Sequence, residues 1–162
     1  MPTDWERERG VEHIVHDYAT LVLTGEGIPK GANVGIHEPW NGPIEQSFIV
    51  SCRKFAHFFL NLDKKRRHDM FAKHFVDPAI TFDLPTWELW CDHHDKHLFH
   101  LSYGRVHSTT PWDGYKENKM FFEELRAAWR KFLAVPPRFK DEFDKCIDAK
   151  EKQLANFGVK LR

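Results

Sequence analysis

The stretch "IEQSFIVSCRKFAHFFLNL" (residues 44–62) decides the fold class, because its apolar residues recur at the spacing of an α-helix. One face of this predicted helix is apolar and consists of Phe48, Cys52, Phe55, Ala56 and Phe59, widened by Ile49, Phe58 and Leu60. A helix that is apolar over so much of its circumference is expected at the centre of a bundle. Pro43, directly before it, suits the first turn of a helix.

Helical patterns also flank this stretch, and they are predicted at about residues 4–23, 85–105, 117–134 and 138–157. Thr3 and Glu6 have the spacing of a capping box at the start of the first helix, and Pro136 and Pro137 end the fourth. Residues 70–76 predict one or two short helical turns. We see no strand pattern and no repeat, so we expect an all-α, up-and-down bundle of four to five helices. It forms one domain, residues 1–162, with a long loop at residues 25–43 and a C-terminal helix at residues 138–157.

The composition excludes several classes of protein. The 162 residues carry 24 Lys and Arg against 24 Asp and Glu, so no overall positive charge marks a nucleic-acid binder, although local patches can still bind one. Fourteen Phe and six Trp argue against disorder. The three cysteines, Cys52, Cys91 and Cys146, are far apart and indicate reduced thiols. We find no signal peptide or membrane-spanning run, and therefore expect a cytoplasmic protein that does not enter a membrane.

The third helix carries a histidine-rich stretch, "CDHHDKHLFHLSYGRVH" (residues 91–107). At 100° per residue, His93, His97 and His100 share a face that also carries apolar residues. His93 and His97 have the i, i+4 spacing of a metal site, but no Glu follows His93 and His100 lies about 10 Å from it along the axis. We therefore predict no metal and no cofactor here. A histidine-based metal-binding protein remains an alternative.

Acid–base chemistry is the second interpretation of this helix. Lys96 lies four residues before His100 and Tyr103 three residues after it, so the three side chains can share one edge. A nearby ammonium group lowers the pKa of an imidazole and favours its neutral form, which can act as a base.

The segment "DKHLFHLSY" (residues 95–103) resembles the signature of the HEPN superfamily (higher eukaryotes and prokaryotes nucleotide-binding domains). The resemblance implies an all-helical, commonly dimeric domain, often a metal-independent ribonuclease of bacterial toxin and defence systems. Aligned on the family motif, His100 takes the place of the catalytic histidine and Lys96 that of the polar residue. Asp95 takes the place of an arginine, and a carboxylate cannot supply the guanidinium fork that holds a phosphate. The chain is also similar to uncharacterised bacterial proteins over residues 46–105.

Arg53 lies in the apolar second helix, one turn before His57, and offers a replacement for the missing guanidinium. Two interpretations stay open. Arg53 either pairs with a carboxylate such as Asp95 or Glu45, which makes the cluster structural, or it faces His100 and restores the missing charge.

The leading hypothesis is thus a site between the second and third helices that binds or cleaves RNA. Its catalytic residues are His100, Arg53, Lys96 and Tyr103, and its substrate-binding residues are Asp95, His57 and His97. We expect a homodimer. The main alternative is a non-catalytic interaction module that works through dimerisation or a partner protein.

Overall fold

The computed structural model describes residues 3–27, 41–61, 70–77, 79–94, 114–135 and 138–162. Five α-helices lie in these ranges, together with two short 3₁₀ helices, Ala72–His74 and Ala155–Phe157. The α-helices are α1 (Asp4–Gly27), α2 (Asn41–Leu60), α3 (Trp87–His94), α4 (Gly114–Ala134) and α5 (Lys140–Gln153). The fold is an all-α helical bundle, as predicted, and the described residues contain no strand.

The start of α1 contains the capping box that the spacing of Thr3 and Glu6 predicts. The Thr3 hydroxyl accepts a hydrogen bond from the Glu6 amide at 3.2 Å, and the Glu6 carboxylate accepts one from the Thr3 amide at 2.7 Å. This reciprocal pair is the capping box, and it satisfies amide groups that the first turn of a helix leaves without partners. At the end of α2, Asn61 adopts a positive φ of 54°, and its amide donates to the carbonyl of His57 at 3.0 Å, which closes that helix.

Helix α2 lies at the centre of the bundle, as predicted. It packs against both α1 and α4, and α1 packs in turn against α5. Its buried residues are Phe48, Ile49, Ser51, Cys52, Phe55, Ala56, Phe58 and Phe59. The predicted stripe of α4 is also buried throughout, namely Phe121, Phe122, Leu125, Ala128, Trp129 and Phe132. Side chains from all five helices join one hydrophobic core.

Some predicted boundaries shift. Helix α2 begins at Asn41 rather than at residue 44. The fifth helix ends at Gln153, and residues 155–157 form a separate 3₁₀ turn instead of continuing it. The third helix is described from Trp87 to His94, and the rest of its predicted length lies outside the described residues. So do residues 28–40 of the predicted loop at residues 25–43. The loop prediction is wrong at both ends, because residues 25–27 belong to α1 and residues 41–43 belong to α2. No described helix combines the length and the apolar character that a membrane crossing requires.

Candidate functional site

Helices α2 and α3 meet at a point where polar and aromatic side chains come together. The His57 ring of α2 contacts the Trp87 ring of α3 edge-on, with centroids 6.0 Å apart and planes at 85°. Both side chains are half-buried, as is Arg53, one turn before His57. We name Arg53, His57 and Trp87 the α2–α3 corner.

The α2 side of the corner follows from helical spacing. Val50, Arg53 and His57 lie three and four residues apart, so they form one strip along the helix. Val50 is 46% exposed, whereas Arg53 and His57 are half-buried. Lys54, the next residue, belongs to a different face because its ammonium group pairs with Asp17 of α1 at 3.2 Å. The strip thus brings one guanidinium and one imidazole to the corner.

The α3 side is positioned by α4. The backbone amide and the hydroxyl of Thr86 both donate to the Glu124 carboxylate, at 3.1 and 2.9 Å. Thr86 directly precedes α3, and its carbonyl accepts from the Trp90 amide at 2.8 Å in the first helical turn. The start of α3 is therefore fixed to α4 by a charged acceptor, and such hydrogen bonds are stronger than neutral ones.

A cluster of stacked rings sets the orientation of Trp87. Trp90 is 1% exposed, stacks on Phe121 at 4.7 Å and donates its indole N–H to the side-chain oxygen of Asn118 at 2.9 Å. Trp87 stacks on Trp90 at 5.9 Å with an interplanar angle of 24°. Because Trp90 is held by both packing and a hydrogen bond, Trp87 has a rigid support beneath it.

Of the residues predicted for the site, the structure describes two. Arg53 and His57 lie on one face of α2, with Trp87 next to His57. The other five lie outside the described residues, namely Asp95, Lys96, His97, His100 and Tyr103. The predicted pairing of Arg53 with Asp95 or Glu45 is likewise outside, since the side chain of Glu45 is not described either.

These groups have distinct chemical capacities. A guanidinium binds phosphate through two parallel hydrogen bonds, and an imidazole can transfer protons near neutral pH. An indole offers a flat surface on which a nucleic-acid base can stack. Within the described part of the chain, no three His, Cys, Asp or Glu side chains are grouped so that they could hold a metal ion. The side chains of His93 and His97 lie outside that part.

A concave region with a volume of about 810 Å³ lies between α1 and α5, away from the α2–α3 corner. Its wall includes Cys146, whose pKa is raised by burial and by the charges of Glu12 and Glu142. The thiol therefore stays protonated and is a poor nucleophile. Arg9 lies over the Trp5 ring at 5.1 Å, which occupies the aromatic surface of this region from within the chain. The α1–α5 groove is thus a weaker candidate than the α2–α3 corner.

Two residues that hold the corner together were not singled out from the sequence. Asn118 lies three residues before Phe121 on the apolar stripe of α4 and is 5% exposed. A polar residue on an otherwise apolar stripe signals a buried hydrogen bond, so the sequence did contain a clue to its role. Glu124 gives no such signal, because an acidic residue on a helix is ordinarily solvated.

Comparisons with known proteins place the chain in no group. No family model matches its sequence, and searches of curated proteins and of solved structures find no match either.

Proposed function

We propose that this chain binds single-stranded RNA at the α2–α3 corner and cleaves it without a metal ion. The observation that carries the proposal is the placement of Arg53 and His57 on one face of α2 with the Trp87 ring against His57. Single-stranded RNA sites combine groups that bind phosphate with aromatic surfaces on which bases stack. An imidazole adds a group that can transfer protons near neutral pH. The resemblance of residues 95–103 to the HEPN signature supports the same function.

In the proposed reaction, Arg53 and Lys96 bind the phosphate and Tyr103 orients it. His100 takes the proton from the ribose 2′-hydroxyl, whose oxygen attacks the neighbouring phosphorus. The bond from phosphorus to the 5′-oxygen breaks, and that oxygen receives a proton from water as it leaves. The products are a 2′,3′-cyclic phosphate and a 5′-hydroxyl. Asp95, His57 and His97 contact the substrate, and Trp87 adds a surface for a base.

Cleavage of a labelled single-stranded RNA in excess EDTA tests this proposal. We expect cleavage by the wild-type chain, products with cyclic phosphate ends, and loss of at least a hundredfold in rate in His100→Ala. His13→Ala is the matched control, because His13 is an exposed histidine on α1. Equal activity in wild type and His100→Ala would contradict the assigned role of His100. Absence of both binding and cleavage would contradict the RNA proposal as a whole.

A non-catalytic interaction module is the second candidate, favoured by exposed apolar side chains on three of the helices. Val50 of α2, Leu89 of α3 and Met120 of α4 are 46%, 54% and 48% exposed. Exposed apolar side chains mark a protein-binding surface where they form one contiguous patch. In this case the chain binds no RNA, and Leu89→Ser weakens association with a partner protein while it leaves folding stability unchanged.

A further inference from the structure

Arg7, near the start of α1, has a guanidinium group that is largely buried but only partly hydrogen-bonded. Its side chain is 13% exposed, and its Nε–H is buried and has no hydrogen-bond acceptor among the described residues. Its Nη2 donates to the carboxylate of Asp4, a side chain that is 76% exposed. A buried polar group without a partner is rare in folded proteins, so the Nε–H of Arg7 calls for an explanation.

The arrangement of donors on Arg7 suits an anion with two oxygens. The Nε–H and one N–H of Nη2 lie on the same edge of a guanidinium, and together they bind two oxygens of a carboxylate or phosphate. The contact with Asp4 joins Oδ1 to Nη2, so it uses only half of this edge. Ion pairs of exposed carboxylates contribute little to stability. An anion that displaces Asp4 therefore gains both donors at a small cost.

His74 adds a hydrogen-bond donor near this guanidinium. Its Nδ1 accepts a hydrogen bond from the amide of Phe71 at 3.2 Å, so the proton of the neutral ring is on Nε2. Burial lowers the pKa of His74 below its ordinary value of 6.5, and the charges of Lys73 and Arg7 lower it further. The neutral ring therefore predominates at pH 7.5, and it offers its Nε2–H on the side away from the Phe71 amide.

Arg138, which lies two residues before α5, supplies a third cation. The hydrogen bond and the charge of Arg7 lower the pKa of the Asp4 carboxyl most, and the nearby charge of Arg138 lowers it further. The amide of Arg138 donates to the carbonyl of Phe75 at 2.5 Å, which fixes this part of the chain next to His74. All the described charges that shift the pKa values of His74 and Asp4 are positive. We name this group the Arg7 cluster, and it consists of Arg7, Lys73, His74 and Arg138.

We propose that the Arg7 cluster binds a phosphate group that carries two negative charges. The Nε/Nη2 edge of Arg7 binds two oxygens of the phosphate, and the Nε2–H of His74 donates to the same group. Lys73 and Arg138 balance its charge, and three cations against the one carboxylate of Asp4 favour a dianion over a monoanion. The site is separate from the RNA function proposed above, because each phosphodiester of RNA carries a single negative charge.

Calorimetric titration with inorganic phosphate, at pH 7.5 and constant ionic strength, tests the site. We expect the wild-type chain to bind one phosphate and Arg7→Gln to bind it at least tenfold more weakly. Arg9→Gln is the matched control, because Arg9 is an exposed arginine of the same helix, and its loss should change the affinity less than twofold. No binding by the wild type, or equal losses in the two variants, overturns the site.

Asp4→Asn tests the same site with Arg7 in place. Removal of the competing carboxylate should strengthen phosphate binding at least threefold, since the Nε/Nη2 edge no longer holds an anion from within the chain. Asp17→Asn removes one negative charge elsewhere on α1, where Asp17 pairs with Lys54, and should change the affinity less than twofold. Unchanged or weaker binding in Asp4→Asn overturns the assignment of the phosphate to Arg7.

The pKa of His74, followed by NMR, tests whether the phosphate binds at this cluster. A bound dianion favours the protonated ring, so phosphate should raise the pKa of His74. The pKa of His13, an exposed histidine of α1, should stay the same. Phosphate binding that leaves the pKa of His74 unchanged places the anion elsewhere and overturns the proposal.

Two phosphate esters identify the source of the group. Tighter binding of glycerol 3-phosphate than of inorganic phosphate indicates a small phosphate monoester, and the reverse order indicates free phosphate. Both orders support the site. Dimethyl phosphate, which carries one charge, should bind at least tenfold more weakly than either, and equal binding of all three overturns the preference for a dianion. No RNA enters these experiments, so failure here is distinguishable from failure of the proposed function.

Discussion

Two buried tryptophans, Trp129 and Trp90, lie in regions of different character. Trp129 is surrounded by rings, stacked on Tyr18 at 4.1 Å and on Phe132 at 5.5 Å, with Phe55 and Phe143 nearby. Its indole N–H is bonded to a backbone carbonyl. This region is a closed core, in which every aromatic group is used for packing.

Trp90 lies at the edge of the core. It is packed on Phe121 on one side, but its other neighbour is the half-buried Trp87, which contacts His57. Its indole N–H is bonded to the side chain of Asn118, which a substitution can remove. The ring contacts around Trp129 stabilise the fold. The ring contacts around Trp90 instead hold the Trp87 ring at the α2–α3 corner, which also contains Arg53 and His57.

Substitution of Trp129 should have the largest effect on stability. Trp129→Ala leaves a large cavity and removes the hydrogen bond to Leu161, and such substitutions cost about 3–5 kcal/mol. The free energy of unfolding, measured by urea denaturation, should fall by this amount. A loss below about 1 kcal/mol would mean that this region is not the closed core described here.

Substitution of Trp90 should lower the free energy of unfolding by less, because the main change is the loss of one hydrogen bond. Trp90→Phe keeps most of the packing but leaves the buried amide of Asn118 without its partner, at a cost of about 1–3 kcal/mol. The double variant Trp90→Phe with Asn118→Leu should recover part of this loss, because both polar groups are then absent. Strict additivity of the two single variants would show that the hydrogen bond does not couple them.

At two glycines of α1, Gly10 and Gly25, a side chain from elsewhere in the protein approaches the helix closely. A Cβ at Gly25 would lie 2.8 Å from the Phe122 ring, and an aromatic ring cannot give way without repacking. Gly25→Ala should therefore destabilise the protein by about 1–3 kcal/mol. At Gly10 the obstructing group is the thioether of Met70, which is flexible. Gly10→Ala should be near neutral in the same denaturation experiment, and the reverse order would contradict this packing.

The smallest expected effect is a dependence of folding stability on pH, and it arises from His74. Burial lowers the pKa of His74 below its ordinary value of 6.5, and the charges of Lys73 and Arg7 lower it further. Its Nδ1 accepts a hydrogen bond from the Phe71 amide at 3.2 Å, which requires that nitrogen to be unprotonated. Because the folded state binds fewer protons than the unfolded state, this contribution is fully present above about pH 6.5 and is lost as the pH falls through the folded pKa.

The urea midpoint should thus decline between pH 7.5 and pH 5 in the wild type, and decline less in His74→Gln. Cys146→Ser is a suitable control, since a thiol of raised pKa does not titrate in this range. Identical slopes for wild type and His74→Gln would remove His74 as the cause.

The sequence was sufficient for the fold because long apolar stripes have a clear period. Helices α2 and α4 each bury the residues that the pattern predicted. No pattern predicts the structure of residues 159–162, where Val159 and Leu161 are two alternating residues, too few to show a period. The prediction was wrong for Phe139, which precedes α5 with a φ of +65°, a conformation set by its surroundings rather than by its type.

For the candidate site, the sequence predicted which residues of one helix share a face, but not which residues of other helices contact them. That Arg53 and His57 share a face follows from i, i+4 spacing alone. That Trp87 contacts His57 depends on how α3 is held against α4 by Glu124, Asn118 and Phe121, and such long-range contacts leave no local pattern. The predictions for residues 95–103 remain predictions, because those residues lie outside the described part of the chain.

The affinity of labelled single-stranded RNA for Arg53→Gln, compared with its affinity for Lys54→Gln, shows whether the α2–α3 corner binds phosphate. Each variant removes one positive charge from neighbouring positions of α2, but Lys54 belongs to the face that pairs with Asp17. If the α2–α3 corner binds phosphate through Arg53, Arg53→Gln should weaken binding about tenfold or more, as loss of a charge-assisted hydrogen bond does, and Lys54→Gln by less than about twofold. Equal losses in the two variants, or no RNA binding by the wild type, would contradict phosphate binding by Arg53 at this corner.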